Sequence, residues 1–294
     1  MQNNSRKNYV MKLIAESGSN RTEWSLIEDG ELIEHFNTEG INPFFQTRRE
    51  ISRSIRLGLP EHFFKKKIET IYYYGAGCSS EEKKQTVGAS FITQFRTRTE
   101  VESDLLGAAR GLFFHESGIA CILGTGSNSC FYDGENIMNN VTAGGYILGD
   151  EGSGASVGKE FLSDVLKGLA PGGLTNDFLN KNRITVEDIM NAVYNQPLPN
   201  KFLSSVSLFF KDYKNEEYVA EVVTRNFKRF FTRCVFQYNY KNYPIRFVGS
   251  MASNFQEFLV DVAKSYDIEI SAIEETPMTG LIKYHSSELD TKNK

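Results

Sequence analysis

One pattern recurs about a hundred residues apart, and it constrains the fold of this chain more than any other feature. Residues 12–15 form a short apolar run that reads as a strand. The chain then turns at Ser17-Gly18-Ser19-Asn20, returns through Trp24-Ser25-Leu26-Ile27, and turns again at Asp29-Gly30 into residues 32–36. Asp-Gly between such runs signals a hairpin, because the tight turn that matches strand twist needs residues tolerant of positive φ. The second copy runs through residues 119–123, a turn at Gly124-Thr125-Gly126-Ser127-Asn128, a strand at Cys130-Phe131-Tyr132, and Asp133-Gly134. Gly-Ser-Asn and Asp-Gly-Glu occur in the same order in both copies. Asp-Gly turns are common, so the repeat gains its weight from the segments that come after each meander.

Each meander gives way to alternating strands and helices. In the first half the pattern predicts a strand at 68–74, a helix at 79–95, a strand at 97–102 and a helix at 104–114. In the second it predicts helices at 154–166 and 218–238, a strand at 245–248, a helix at 255–265, a strand at 268–272 and a closing helix at 279–285, after which a polar tail should fray. A meander followed by strand and helix alternation implies a mixed sheet with helices on its faces. With 294 residues, 40% of them hydrophobic, the chain is long enough for two such cores.

The formal net charge of −4 and scattered lysines and arginines give no footprint for a phosphate backbone, so nucleic acid is not expected as a partner. Cys78, Cys121, Cys130 and Cys234 are spread out with no CxxC pair, which suggests neither a disulfide framework nor a structural metal. No apolar run reaches the length of a membrane span or a signal core, so a cytoplasmic protein free of the membrane is expected.

The two turns are the first candidates for chemistry. Small residues between two strands expose backbone N–H groups with little obstruction, which is what a polyphosphate held by main chain requires. The first spans Glu16-Ser17-Gly18-Ser19-Asn20-Arg21-Thr22 and the second Gly124 to Asn128. Neither is a Walker loop, since no Gly-Lys-Ser/Thr follows. Singly, each is an ordinary hairpin turn; in matching positions, they could grip a nucleotide from both sides of a cleft.

Residues 14–24, Thr38-Glu39-Gly40-Ile41-Asn42-Pro43, residues 123–128, Gly149-Asp150-Glu151-Gly152-Ser153-Gly154, Val248-Gly249-Ser250-Met251-Ala252 and Gly280-Leu281-Ile282-Lys283-Tyr284-His285 resemble the N-acetylglucosamine kinases of the BadF/BadG-type ATPase family. That family lies within the actin, hexokinase and Hsp70 superfamily. The resemblance covers residues 12–285 and implies an α/β fold of two actin-like (ribonuclease H-like) domains, each a mixed five-stranded sheet with flanking helices, around a central cleft. The domains would be 1–115 and 116–276, with a helix at 277–290 packing back on the first. ATP and Mg²⁺ are the implied cofactors and a sugar the implied partner; a homodimer is open.

The resemblance also implies roles. Asp104 matches the catalytic base that accepts the sugar hydroxyl proton; read by itself, it is equally a helix N-cap. Asn42 matches an acceptor-binding amide, and by itself is a turn residue before proline. Gly144, Gly145 and Asp150 match the sugar pocket, and Asn128 a sugar-side position. Gly18, Ser19, Asn20, Arg21 and Thr22, with Gly124, Thr125 and Gly126, match the nucleotide turns, and Gly249, Ser250 and Ala252 an adenosine-side turn. Small residues at Gly152 and Gly154 would bring a helix N-terminus close to the ligand. Glu16 stands where most relatives carry an Asp that holds Mg²⁺ through water, and Asn20 where they carry a small hydroxyl residue. The extra methylene can shift an ion that demands octahedral geometry, which puts turnover in question.

The implied reaction is transfer of the ATP γ-phosphoryl to N-acetylglucosamine, giving its 6-phosphate. Alternatives are N-acetylmuramic acid as acceptor, an ATPase activator of an acyl-CoA dehydratase, and a non-catalytic sugar or nucleotide sensor.

Overall fold

A computed structural model describes residues 10–292, with side chains through residue 286. The chain divides into two compact units, Met1–Phe114 with Pro277–Lys294, and His115–Thr276.

Unit 1 opens with the antiparallel meander β1 (Met11–Ser17), β2 (Arg21–Glu28) and β3 (Glu31–Glu39). Helix α1 (Arg48–Gly58), a 3₁₀ turn at Glu61–Lys65, β4 (Thr70–Gly75), α2 (Glu81–Phe95), β5 (Arg98–Ser103) and α3 (Asp104–Phe113) come next. The strands lie in the order β3-β2-β1-β4-β5, with β1, β4 and β5 parallel. A core on one face gathers Leu13, Ala15, Trp24, Phe63, Tyr73 and Phe91.

Unit 2 repeats the plan. Strands β6 (Gly118–Leu123), β7 (Ser127–Tyr132) and β8 (Ile137–Val141) form its meander. The one-turn helix α4 (Gly145–Leu148), then α5 (Gly154–Lys167), α6 (Gly172–Asn182), α7 (Val186–Tyr194), α8 (Pro199–Phe210) and α9 (Glu217–Arg233) precede β9 (Ile245–Val248). Helices α10 (Ser250–Asn254) and α11 (Gln256–Lys264) and strand β10 (Ile270–Glu274) complete it. Its order, β8-β7-β6-β9-β10, is the order of unit 1. The sequence repeat is thus a repeat of topology.

The last helix, α12 (Met278–Lys292), belongs to unit 1 and continues past His285, where fraying was expected. It is pinned through His285, whose ring stacks on Tyr72 with centroids 3.7 Å apart. Arg110 Nη1 donates to Tyr74 Oη (3.0 Å), which leaves that hydroxyl to donate to His285 Nε2 (2.9 Å), while Lys12 Nζ donates to the His285 carbonyl (2.7 Å). Helix 218–238 ends earlier than expected, at Arg233, whereas the helix expected at 255–265 forms as α11, with the short α10 preceding it.

Candidate functional site

In unit 1 the loop after β3 is stapled to the turn between β1 and β2. Ser17 Oγ accepts from the Ile41 N–H (2.9 Å) and contacts the Thr22 hydroxyl (2.8 Å), which itself donates to the Glu39 carbonyl (3.0 Å). Gly40 N–H donates to Asn20 O, and a Cβ on Gly40 would stand 2.6 Å from Gly18 O, so only glycine allows this approach. Gly18, Ser19 and Asn20 are thereby held as a closed turn, with Arg21 exposed at the head of β2. The hydroxyl of Thr22 is committed inward, to the staple.

The same staple delivers Asn42. Its Oδ1 accepts from the Phe44 N–H (2.9 Å), the turn geometry expected of Asn before proline, and a Cβ on Gly77, beyond β4, would meet that Oδ1 at 2.4 Å. The side-chain oxygen of Asn42 builds the turn, its backbone N–H donates to Gln46 Oε1 (2.8 Å), and its side-chain nitrogen makes no hydrogen bond to another described residue.

Near the carboxyl ends of β1 and β5, Glu16 feels the charges of both Glu23 and Asp104. Glu16 sits directly opposite Glu23 in the β1–β2 register. Burial, then the charges of Asp104 and Glu23, raise the Glu16 pKa to about 8, with Arg21 opposing. Burial likewise raises Asp104 to about 6, partly offset by the N–H of Leu105, which donates to its Oδ1 at 2.9 Å. The N-cap of α3 is Ser103, which accepts from Leu106 N–H (3.2 Å); Asp104 is the first helical residue. The capping role expected of Asp104 thus falls to its neighbour.

In unit 2, β6, β9 and α5 converge on the second turn. Gly249, at φ +122°, lies so close to Leu123 that a Cβ would meet its carbonyl oxygen at 2.3 Å. Ser250 and Ala252 follow in α10, with Ala252 buried in the core. The expectation that the N-terminus of α5 faces a ligand needs correcting. Its first donors are already used, Gly154 N–H to Gly124 O (2.8 Å) and Ala155 N–H to Thr125 O (3.1 Å), so the helix braces the turn. Asn128 lies within β7 rather than in the turn, its Oδ1 accepting from Asn140 Nδ2 (2.9 Å).

Asp150 is buried at φ +56°, in the left-handed region that Asp tolerates better than most non-glycine residues. Its Oδ1 accepts from Ser127 N–H (3.2 Å), and its carboxylate lies against Gly126. Burial raises its pKa to about 6. Gly144 and Gly145, at φ +77° and +71°, start the short segment that returns to Asp150, whose N–H donates to Ala143 O (3.0 Å).

No protein-family model matches the sequence, and no curated protein matches it either. Among solved structures, the chain is similar to the "Putative N-acetylglucosamine Kinase" of Porphyromonas gingivalis, with 41% identity, a TM-score of 0.91, and 95% of this chain and 100% of the other covered. The chain belongs to the N-acetylglucosamine kinase family. It is a phosphotransferase acting on an alcohol group, with the actin-like ATPase fold. A protein of the same printed name from Chromobacterium violaceum shares the fold at 16% identity and a TM-score of 0.69, covering 94% of this chain and 98% of its own. A ROK family glucokinase from Streptomyces griseus shares it at 13% and 0.55, covering 95% and 98%.

For a kinase of this family the carboxylate cluster suits a divalent cation. Glu23 Oε2 is buried without a hydrogen-bond partner among the described residues, its Oε1 lies 3.5 Å from His35 Nε2, and Arg21 opposes the charges of Asp104 and Glu23 on Glu16. Among the described residues no three ligating side chains converge as a closed metal cage. A Mg²⁺ ion that keeps several waters and rests on one or two carboxylates plus phosphate oxygens does not require such a cage. Glu23 escapes a reading by motif because only strand register places it opposite Glu16.

These shifts have a measurable sign. A carboxyl whose folded pKa exceeds its unfolded value holds its proton more tightly when folded, so it destabilises the fold progressively as pH rises from the unfolded pKa toward 8. In metal-free buffer Glu16→Gln should therefore raise Tm by about 3 °C or more at pH 8, and by much less at pH 5. Thermal unfolding at the two pH values checks this; an equal gain at both would contradict it.

Proposed function

We propose that the chain transfers the γ-phosphoryl of ATP to a hydroxyl of an N-acetylated amino sugar, N-acetylglucosamine giving its 6-phosphate. The observation that carries the reading is Asp104, a half-buried carboxylate directly after β5, whose pKa, raised to about 6, suits a base working near neutrality. The choice of sugar is supported by the 41% identity to the Porphyromonas protein and its printed name.

Phosphoryl transfer passes through a loose transition state, so the protein acts chiefly by positioning and charge stabilisation. In this reading Asp104 accepts the acceptor hydroxyl's proton, and the amide nitrogen of Asn42 orients the sugar. Within unit 2, Asp150 would take sugar hydroxyl hydrogens, and Asn128, Gly144 and Gly145 are the other positions that the family resemblance gives to a sugar. Each unit offers its own turn to phosphate oxygens, Gly18, Ser19 and Asn20 in unit 1 and Gly124, Thr125 and Gly126 in unit 2, where Gly249 and Ser250 would serve the adenosine. Glu16 would hold Mg²⁺ through water, opposite Glu23; when bound, the ion offsets charge on the transferring group.

The four cysteines are buried, free and raised in pKa, so none is poised as a thiolate to share a cluster with a partner, which disfavours the dehydratase-activator reading. A coupled assay with ATP, Mg²⁺ and a panel of N-acetylglucosamine, N-acetylmuramic acid, N-acetylmannosamine and glucose tests the proposal. N-acetylglucosamine should give the highest kcat/KM. Preference for N-acetylmuramic acid would transfer the assignment to that sugar, and binding without turnover would favour a sensor.

A further inference from the structure

The groove between α1 and α2 in unit 1 shares no residue with the turns and carboxylates above, and its electrostatics are unbalanced. Arg48, Arg49, Arg53 and Arg56 project from α1 into a groove of about 790 Å³, with Ser52 and Thr93 among the other residues lining it. Among the described residues none of the four guanidinium groups pairs with a carboxylate. Glu61, which feels the charge of Arg56, is paired with Lys65 at 2.9 Å.

Two local rules are broken at this helix. Arg48 and Arg49 are its first two residues, at the end where the aligned peptide dipoles favour negative charge. Arg49 and Arg53 stand four apart and Arg53 and Arg56 three apart, spacings at which like charges repel along a helix. Such conflicts concentrate at functional positions. Two of the side chains are also held in place: Arg48 Nη2 donates to Thr93 Oγ1 (3.1 Å), and the Arg56 guanidinium stacks on Phe64, 4.6 Å from the ring centroid. Fixed guanidinium forks recognise phosphate in a bidentate manner, and a fork already ordered loses less entropy on binding.

We propose that this groove binds a small phosphorylated ligand, a phosphomonoester or diphosphate. Its phosphate would sit among Arg49, Arg53 and the fixed Arg48 and Arg56, where it relieves both conflicts at once. The groove volume is in the range of small-ligand sites. The Ser52 and Thr93 hydroxyls, beside Gln94, offer polar partners for the ligand's uncharged portion.

The test is thermal unfolding of the full chain with inorganic phosphate, pyrophosphate or glucose 6-phosphate, each against chloride at equal ionic strength. The wild type should gain about 3 °C at a tenfold excess over Kd. The double variant Arg49→Gln/Arg53→Gln keeps the nucleotide turns intact, so any response from them persists in it, while the gain owed to the groove disappears. Which of the three ligands responds separates a diphosphate from a phosphomonoester. Equal responses in wild type and variant, or a response matched by chloride, would overturn the proposal. Amide exchange of the wild type is a second readout that needs no variant: pyrophosphate or glucose 6-phosphate should protect residues 48–57, and protection confined to other segments would also overturn it.

Discussion

Asp104→Asn should lower kcat by about 10³-fold while sugar binding stays measurable by calorimetry. The replacement keeps shape, and its oxygen can still accept from the Leu105 N–H, but an amide takes no proton. The raised pKa of Asp104 adds a second expectation, because a carboxylate that burial disfavours destabilises the fold at neutral pH. The variant should therefore be at least as stable as the wild type at pH 7.5, and its loss of rate cannot be put down to unfolding. A loss of sugar affinity in proportion to the loss of kcat would mean that Asp104 binds rather than accepts a proton.

Gly280→Val should destabilise unit 1 by about 3 kcal/mol or more. A Cβ at Gly280 would lie 1.8 Å from Gly111 O, and one at Gly111 would lie 2.7 Å from Pro277 O, so α12 and α3 cross through two glycines with no room for a side chain. Separation of the helices would also strain the bonds that hold His285 between Tyr72 and Tyr74. Calorimetry should show Tm lower by about 6 °C or more. The matched control is Gly173→Ala in α6, where a Cβ meets nothing within 4 Å and Tm should hold or rise slightly.

The sequence announced the two sheets through their hairpins, because Asp-Gly turns and short apolar runs are local signals. Strand β8 was implied by the Asp133-Gly134 hairpin but its residues were not placed, since Ile-Met-Asn-Asn-Val is polar and its middle is exposed at the sheet edge. Helix α1 was missed, although Thr47 and Glu50 spell a capping box that the structure forms in full. Thr185 and Asp188 do the same for α7. Helices α6 to α8 fill a stretch of weak apolar periodicity, where packing rather than propensity decides: Gly158 of α5 approaches Leu203 O so closely that a Cβ would meet it at 1.9 Å.

The candidate site divides along the same line. Glu16 sits in the first glycine turn, but the roles given to Glu16, Asp104 and Asp150 came from the family resemblance rather than from local sequence. Other features depend on contacts between distant segments, which one sequence does not display. Glu23 opposite Glu16, Ser103 as the cap of α3, and the use of α5 donors on Gly124 and Thr125 are of this kind.

The most direct measurement is ³¹P NMR of the full-length protein incubated with ATP, Mg²⁺ and N-acetylglucosamine. The proposed function predicts that the γ-phosphate signal is replaced by ADP and one phosphomonoester, whose phosphorus couples to the two protons on carbon 6 of the sugar. ATP left intact, or ADP accompanied only by inorganic phosphate, would contradict it.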